Sequence, residues 1–179
     1  MDKFIPDMYY KSIFDINYKK LKKMKIKCIA FDLDNTLASY KEDVPSKDIK
    51  ELLSIISDDF KVIIFSNATK KRLTPFKEIL NLDTSYSSRK PFLKKYKKIM
   101  RIYKLNPEEI AFVGDQLITD ILGANRNESI SILVNPIGAF EPLGTKINRF
   151  FEKFIYKKLN KTGVLNLSLI HISEPTRRS

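Results

Sequence analysis

Short apolar runs alternate with longer amphipathic stretches along most of this chain. Five of the runs are rich in β-favouring residues and too short for typical helices. They cover residues 27–31, 62–65, 84–86, 110–113 and 130–134. Because alternating strands and helices usually form a parallel sheet with helices on both faces, the pattern predicts one Rossmann-like α/β domain with about five mainly parallel strands.

The stretches between the strands carry apolar residues at helical spacing. One helix is predicted to begin after Ser46, whose side chain suits an N-cap. The others are predicted at about 70–80, 92–103 and 119–125. Each connection is filled by one crossover helix and its strand, so the sequence leaves no room for a cap domain over the sheet.

The last amphipathic stretch, residues 146–161, follows the fifth strand. Its apolar residues fall on one helical stripe and comprise Ile147, Phe150, Phe151, Phe154, Ile155 and Leu159. Such a helix either lies on an anionic membrane or packs on its own sheet, and the pattern alone leaves both possibilities open.

The predicted domain covers residues 1–160, and a disordered tail is expected over residues 161–179. Residues 167–179 resemble the translation of a transposase sequencing adapter. Our hypothesis is that the reading frame continued from the gene into adapter, so this part is excluded from fold reasoning. The single histidine, His171, lies in this part, so catalysis by histidine is not expected.

Composition restricts the environment and the class of partner. The sequence has no apolar run of the roughly 18 residues that a membrane span needs. Its one cysteine, Cys28, rules out a disulfide framework, which favours a reducing cytoplasm. The net charge of +12 favours phosphate esters, anionic lipid surfaces or nucleic acid as partners, although a solvated lysine-rich surface explains it equally well.

Four carboxylates follow two of the predicted strands. Asp32 and Asp34 come directly after the first strand, and Asp115 and Asp120 follow the fourth. Ligands bind at the carboxyl edge of a parallel sheet, where these side chains are expected to meet. Clustered carboxylates repel one another unless a cation neutralises them. The sequence therefore predicts a site for a hard divalent ion, with Asp120 in reach directly or through water.

Two further strand ends supply groups that suit a phosphoryl oxygen. Ser66 follows the second strand, and Lys90 follows the third. A hydroxyl and an ammonium group would hold phosphoryl oxygens as neutral and charged donors. Asn67 is a further candidate for the phosphate-binding group, and Gln116 is a candidate for a supporting contact.

The two-residue spacing of Asp32 and Asp34 allows two separate roles. One carboxylate can attack phosphorus in line, while the other donates a proton to the leaving oxygen and later takes one from water. The two roles need two environments. Thr36 is expected to orient the loop through a bond between its hydroxyl and the backbone.

These segments, in this order, resemble the four motifs of the haloacid dehalogenase superfamily. They are Asp32-Leu33-Asp34-Asn35-Thr36, Ser66-Asn67, Lys90, and Gly114-Asp115 through Asp120. The resemblance implies a phospho-aspartate on Asp32, with Asp34 as general acid and base. It also implies Mg²⁺ held by the Asp32 carboxylate, the Asp34 backbone carbonyl and Asp115. For the third motif Lys90 is preferred to Arg89, because Lys-Pro matches the family.

Finer features are similar to the YqeG group, a capless phosphatase branch of subfamily IIIA, over about residues 3–160. They are Pro6-Asp7-Met8-Tyr9, Ser12-Ile13-Phe14-Asp15-Ile16, Lys90-Pro91, Gly123-Ala124-Asn125-Arg126 and Ile147-Asn148-Arg149. That branch is related to phosphatases that hydrolyse phosphatidylglycerophosphate. The resemblance implies this lipid as substrate. The absence of a cap and the basic charge favour a peripheral position on the inner face of an anionic membrane.

Two alternatives stay open at the level of sequence. In the first, the same chemistry acts on a nucleotide, a sugar phosphate or a phosphoprotein. In the second, the chain is a basic protein that binds RNA or the ribosome and has a vestigial site. Nucleic acid is the less favoured partner, because no aromatic-interleaved basic motif is visible and Asp32, Asp34, Lys90 and Asp115 are all present.

Overall fold

The computed structural model describes residues 2–138 and 143–161, with the side chains of 143–145, 149 and 158–161 left out. The expected tail is residues 161–179, but residue 161 is described as the last residue of a helix. The rest of that tail, including the adapter-like residues 167–179, lies outside the described residues. All structural statements below concern the described part of the chain.

One six-stranded sheet forms the centre of the protein. Its strands are β1 (Met8–Tyr10), β2 (Cys28–Phe31), β3 (Lys61–Phe65), β4 (Asp83–Ser85), β5 (Ile110–Gly114) and β6 (Ile130–Val134). Their order is β1-β6-β5-β2-β3-β4, and every pair is parallel. The predicted α/β class is therefore confirmed. The first acidic motif, which begins at Asp32, directly follows β2 at the centre of the sheet.

The prediction of about five strands missed β1. Met8, Tyr9 and Tyr10 pair with Ile132, Leu133 and Val134 at the edge of the sheet. Three residues are too few to show an alternating pattern, so tertiary pairing decides this strand. The Asp7 carboxylate, which accepts a hydrogen bond from the backbone N–H of Ser131 at 2.8 Å, fixes it beside β6.

Within residues 2–138 and 143–161, six α-helices connect or follow the strands. They are α1 (Tyr18–Lys23), α2 (Lys47–Ser57), α3 (Lys70–Leu80), α4 (Leu93–Tyr103), α5 (Leu122–Arg126) and α6 (Leu143–Lys161). Ser46 caps α2 as predicted, since its hydroxyl accepts from the backbone N–H of Ile49. Phe92 is the exposed N-cap of α4 and not part of its buried stripe. The predicted helix at 119–125 is divided into a π-helical turn (Leu117–Ile121) and α5.

The two faces of the sheet are covered by different helices. On β2, Ile29 and Phe31 belong to the core shared with α2 and α3, whereas Cys28 and Ala30 belong to the core shared with α4 and α5. On the second face, the rings of Phe65, Tyr96 and Phe112 pack with centroids 4.6 to 5.3 Å apart. Burial on both faces explains why the central strands read as continuous apolar runs.

The crossover connections are short. Between β2 and β3 and between β3 and β4, the chain forms one helix each, α2 and α3, with no further domain. The carboxyl ends of β2, β3 and β5 therefore share an open edge of the sheet. Residues 18–25 form a lysine-rich segment. It leads through α1 into the amino end of β2, so it approaches the opposite edge of the sheet.

Candidate active site

A buried lysine joins two of the four predicted carboxylates. Lys90 Nζ donates to Asp32 Oδ1 at 2.8 Å and to Asp120 Oδ1 at 2.5 Å. The lysine side chain is 3% exposed, so the three charged groups lie away from water. Residues separated by 58 and 30 positions along the chain thus meet at one point.

Asp115 completes an acidic cluster with these groups. Carboxylate oxygens of Asp32, Asp115 and Asp120 all lie within 4.8 Å of one another, and all three residues are buried. The site also contains the Asp34 carboxylate, and its buried or half-buried cations are Lys90 and Arg72. These four carboxylates therefore outnumber the two cations. An oxygen-only donor set with excess negative charge fits a hard divalent cation.

Burial and mutual repulsion control the ionisation of this cluster. Burial raises the pKa of Asp120 to about 6, and the Lys90 ammonium only partly opposes that effect. Burial by itself lowers the pKa of Lys90, but the carboxylates of Asp120 and Asp32 outweigh it and the net shift is upward. The lysine therefore stays a cation throughout the neutral range, available to an anionic group.

Asn67 holds the lysine through its backbone. The Asn67 Oδ1 accepts from the Lys90 N–H at 2.7 Å, and Asn67 Nδ2 donates to the Lys90 carbonyl at 3.3 Å. Ser66, buried at the end of β3, accepts the backbone N–H of Ala68 at 3.2 Å through its hydroxyl oxygen. Arg89, in contrast, is exposed, so geometry selects Lys90 as the cation of the cluster.

Asp34 lies in a separate environment and is bound by Arg72, which sequence reasoning missed. Arg72 Nε and Nη2 donate to Asp34 Oδ1 at 3.1 and 3.0 Å. Burial and the neighbouring Asp32 raise the pKa of Asp34, Arg72 lowers it, and the net shift is upward. The two carboxylates of the first motif thus have different cationic partners, lysine for Asp32 and arginine for Asp34.

Arg72 also ties Asp34 to the loop after β2. Its guanidinium donates to the carbonyl oxygens of Ser39, at 3.0 Å, and Glu42, at 2.5 Å. Arg72 lies in the first turn of α3, one turn beyond the cap Thr69. Nothing in the local sequence separates it from Lys70 or Lys71, both of which are exposed. Only the packing of α3 beside the loop identifies it.

The loop of the first motif turns sharply after Asp34. Asn35 has a φ of 63°, and its N–H donates to the Ala38 carbonyl at 2.7 Å. The hydroxyl of Thr36 is buried and has no hydrogen-bond partner among the described residues. The predicted bond from this hydroxyl to the backbone is therefore not seen; the Thr36 N–H instead donates to the Leu33 carbonyl, at 3.2 Å.

The loop after β5 is fitted closely around Asp120. Its Oδ2 accepts the backbone N–H of Gln116 at 3.1 Å. A Cβ on Gly114 would lie 2.2 Å from Asp120 Cγ, so only glycine leaves room for this carboxylate. The Gln116 side chain faces α6, where its Oε1 accepts from Asn148 Nδ2 at 3.3 Å. Gln116 thus links this loop to α6 through a side-chain hydrogen bond.

The arrangement suits transfer of a phosphoryl group. It offers a carboxylate beside a cationic lysine, a second carboxylate with a raised pKa, a donor set for a divalent ion, and a hydroxyl at the adjacent strand end. Proton transfer needs a group that exists in both forms near the working pH, and Asp34 is shifted in that direction.

Comparison with known proteins agrees with this chemistry. A family model described as mitochondrial PGP phosphatase matches residues 1–137. A protein named probable phosphatase YqeG, from Bacillus subtilis (strain 168), is 36% identical over 161 residues. That match covers 89% of this chain and 94% of the relative.

Solved structures share the fold at low identity. A HAD-like family hydrolase from Porphyromonas gingivalis has a TM-score of 0.50 and 14% identity, covering 70% of this chain and 98% of that one. A haloacid dehalogenase-like hydrolase from Xanthomonas campestris has a TM-score of 0.51 and 12% identity, covering 66% and 88%. The four motifs, the fold and the matched relatives together establish that this chain belongs to the mitochondrial PGP phosphatase family, as a YqeG-type phosphatase of the haloacid dehalogenase superfamily.

Proposed function

We propose that this phosphatase is a Mg²⁺-dependent phosphomonoesterase that forms a phospho-aspartate on Asp32, and that its substrate is phosphatidylglycerophosphate. The observation that carries the proposal is that two carboxylates close in sequence, Asp32 and Asp34, have different surroundings. Asp32 binds Lys90 and lies in the acidic cluster, whereas Asp34 binds Arg72 and has a raised pKa.

Asp32 is the proposed nucleophile. A carboxylate oxygen of Asp32 attacks phosphorus, and the bond between phosphorus and the ester oxygen of the substrate breaks. Lys90 lies beside this carboxylate and carries a positive charge, which would stabilise the charge on the phosphoryl oxygens during transfer. Ser66 is proposed as a neutral donor to the same oxygens. Asn67 would keep the Lys90 backbone in place through its two hydrogen bonds.

Asp34 is the proposed general acid and base. In the first step its carboxyl proton passes to the leaving alkoxide oxygen. In the second step the Asp34 carboxylate takes a proton from water, the water oxygen attacks phosphorus, and the bond to Asp32 breaks to release inorganic phosphate. The raised pKa favours the protonated form that the first step needs, and Arg72 fixes the direction of the carboxylate.

The acidic cluster is the proposed metal site. Asp32 and Asp115 would bind Mg²⁺ through carboxylate oxygens, with the Asp34 backbone carbonyl as a further ligand and Asp120 directly or through water. A bound Mg²⁺ ion would offset the negative charge that gathers when a phosphate ester approaches these carboxylates.

Two observations support a lipid substrate. The family model that matches residues 1–137 is described by phosphatidylglycerophosphate (PGP) phosphatase activity. The carboxyl edge of the sheet also carries no cap domain in the described residues, which leaves the site open to a phosphate group presented at a surface. Such a substrate requires the enzyme to work at a membrane. We therefore infer a cytoplasmic protein that is peripheral on the inner face of the membrane.

A phosphate-release assay tests this function. The protein is supplied with Mg²⁺ and either phosphatidylglycerophosphate in mixed micelles or soluble esters such as glycerol 3-phosphate and nucleoside monophosphates. Asp32→Asn is the matched control, because it keeps the shape of the side chain but not the nucleophile. We expect Mg²⁺-dependent release that is fastest from the lipid and absent in Asp32→Asn. Release from soluble esters but not from the lipid would reject the substrate and retain the reaction.

A further inference from the structure

The outward face of α6 is an aromatic surface that the described core leaves uncovered. It consists of four residues that are each 55 to 59% exposed: Ile147, Phe150, Phe151 and Phe154. The ring of Phe150 packs against those of Phe151 and Phe154, with centroids 5.8 and 5.1 Å apart. Single exposed apolar residues are ordinary, but a contiguous group of large ones usually marks an interaction surface.

The inward face of the same helix is already occupied. Glu152 is only 1% exposed, and its Oε1 accepts the backbone N–H of Ile118 at 3.0 Å. Ile155 and Tyr156 pack against the cluster of Leu117, Ile121 and Leu133. The helix is therefore attached through one side to the loop that carries Asp115 and Asp120. The aromatic side is turned away from that contact.

The charges around the aromatic surface are positive. Lys146, Lys153 and Lys157 are exposed along α6. The only acidic residue in the sequence of the helix is Glu152, which is buried against the loop. Exposed lysines beside large apolar side chains are typical of helices that lie in the interface of anionic bilayers. Within the described residues, no helix combines the length and apolar character needed to cross a bilayer.

The position of the helix brings this surface close to the site. Asn148, on α6, donates to Gln116, the residue that follows Asp115. Two other exposed apolar residues, Phe92 and Ile137, lie on the loops that follow β4 and β6, at the same carboxyl edge of the sheet. Exposed apolar side chains thus lie on several elements around the open carboxyl edge of the sheet, which is the mouth of the site.

We propose that the aromatic face of α6 docks this enzyme on a bilayer that contains anionic lipid, so that the open mouth of the site is held at the membrane surface. The phenyl rings enter the boundary between headgroups and acyl chains, and the lysines contact anionic headgroups. This inference deepens the proposed function, but binding to a bilayer requires neither the metal nor the chemistry. The two can therefore fail separately.

Co-sedimentation of the full chain with vesicles free of phosphatidylglycerophosphate tests the docking. Vesicles of phosphatidylcholine alone are compared with vesicles that also contain phosphatidylglycerol. We expect binding to the anionic vesicles only, and a loss of at least about tenfold in partitioning for Phe150→Ser with Phe154→Ser. The matched control is Ile55→Ser with Ile102→Ser, which removes two apolar residues of α2 and α4 whose exposure, 68% and 58%, is similar to or greater than that of the phenylalanines.

Charge is tested with a second matched pair. Lys153→Glu with Lys157→Glu changes the net charge as much as Lys19→Glu with Lys23→Glu, but the second pair lies on α1, toward the opposite edge of the sheet. Only the first pair is expected to weaken binding. Hydrolysis of a soluble aryl phosphate by Phe150→Ser with Phe154→Ser should stay at the wild-type level, which shows that the fold and site are intact.

Three results would overturn the docking proposal. The first is no binding of the wild type to anionic vesicles. The second is equal binding by wild type and the phenylalanine variant. The third is a dimer in sedimentation that the phenylalanine variant abolishes, since the surface would then be covered by a second copy of the chain. None of these results bears on phosphate release from micelles, so the proposed function would be judged on its own assay.

Discussion

Arg72 binds the Asp34 carboxylate with two nitrogen atoms, at 3.1 and 3.0 Å, from a helix 38 positions further along the chain. The same guanidinium also binds the carbonyl oxygens of Ser39 and Glu42. One side chain therefore fixes both the second carboxylate of the site and the loop that follows it. We regard Arg72 as a positioning residue for the proton-transfer step.

Removing Arg72 should slow turnover by misplacing Asp34. We expect Arg72→Ala to lower kcat by about tenfold or more, and Arg72→Lys to give an intermediate loss, because lysine keeps the charge without the forked donors. The loss should be larger for an alkyl phosphate than for p-nitrophenyl phosphate, whose leaving group needs little protonation. Steady-state kinetics on both substrates measures this.

The control for Arg72 is its neighbour Lys71, which is exposed on the same helix. Lys71→Ala should retain wild-type kinetics. An Arg72→Ala protein with equal losses on both substrates would contradict a role in proton transfer and indicate general damage to the loop.

We expect Asn67 to affect the affinity for phosphate indirectly, by holding the backbone of Lys90. Its side chain makes two hydrogen bonds to the Lys90 backbone, and each is worth about 0.5–1.5 kcal/mol. We expect Asn67→Ala to weaken competitive inhibition by inorganic phosphate by about fivefold to tenfold. Lys94→Ala, which removes an exposed charge from α4, is the control. Unchanged inhibition in Asn67→Ala would show that Lys90 is held by other contacts.

Gly114 should be intolerant of even one added carbon atom. The Cβ of alanine would lie 2.2 Å from Cγ and 2.6 Å from Cβ of Asp120, so the Asp120 side chain must move from Lys90. We expect Gly114→Ala to lose about 1–3 kcal/mol of unfolding free energy, and to lose most of its activity even where it is folded. Denaturant titration and phosphate release measure the two effects.

Gly138 is the control, because an added Cβ would be less crowded there than at Gly114. At Gly138 the nearest atoms, Asn35 Oδ1 and Ser39 Cβ, lie 3.2 Å from an added Cβ. Gly138→Ala should therefore cost clearly less stability than Gly114→Ala. Equal effects of the two substitutions would mean that the Asp120 contact does not determine the requirement for glycine.

Metal binding should be visible as stabilisation of the fold. Asp115 lies with Asp32 and Asp120 in the cluster whose oxygens are within 4.8 Å of one another. Mg²⁺ that binds only the folded state should raise the stability of the wild type, by about 2.7 kcal/mol at 100 times its dissociation constant. Asp115→Asn should lose this gain in thermal melts with and without Mg²⁺. The same gain in both proteins would place the ion elsewhere.

The parts of the fold that could be predicted are those in which local pattern and tertiary packing agree. Strands β2, β3 and β5 are buried on both faces and therefore carry unbroken apolar runs, and β6 departs from this pattern only at the buried Ser131. The edge strand β1 has no such run, since three residues beside β6 gain their structure from pairing. The apolar stripe of α6 also allowed two interpretations. In the structure Glu152 is buried against the loop, and all three phenylalanines of the helix are exposed.

The site could be predicted to the extent that it is built from strand ends. Asp32, Lys90, Asp115 and Asp120 meet because parallel strands place their carboxyl ends at one edge. Arg72 could not be found in this way, because it comes from a helix and resembles its exposed neighbours in sequence. For Thr36 the sequence prediction was wrong: a hydrogen bond from its hydroxyl to the nearby backbone was expected, and the structure does not contain it.

The central claim is that Asp32 accepts the phosphoryl group. The direct test is a single turnover with phosphatidylglycerophosphate and Mg²⁺, quenched in acid and digested for mass spectrometry. Our account predicts a phosphoryl adduct on the peptide that contains Asp32 in the wild type, and no adduct in Asp32→Asn. A wild-type enzyme that releases phosphate with no adduct, or with the adduct on another side chain, would contradict it.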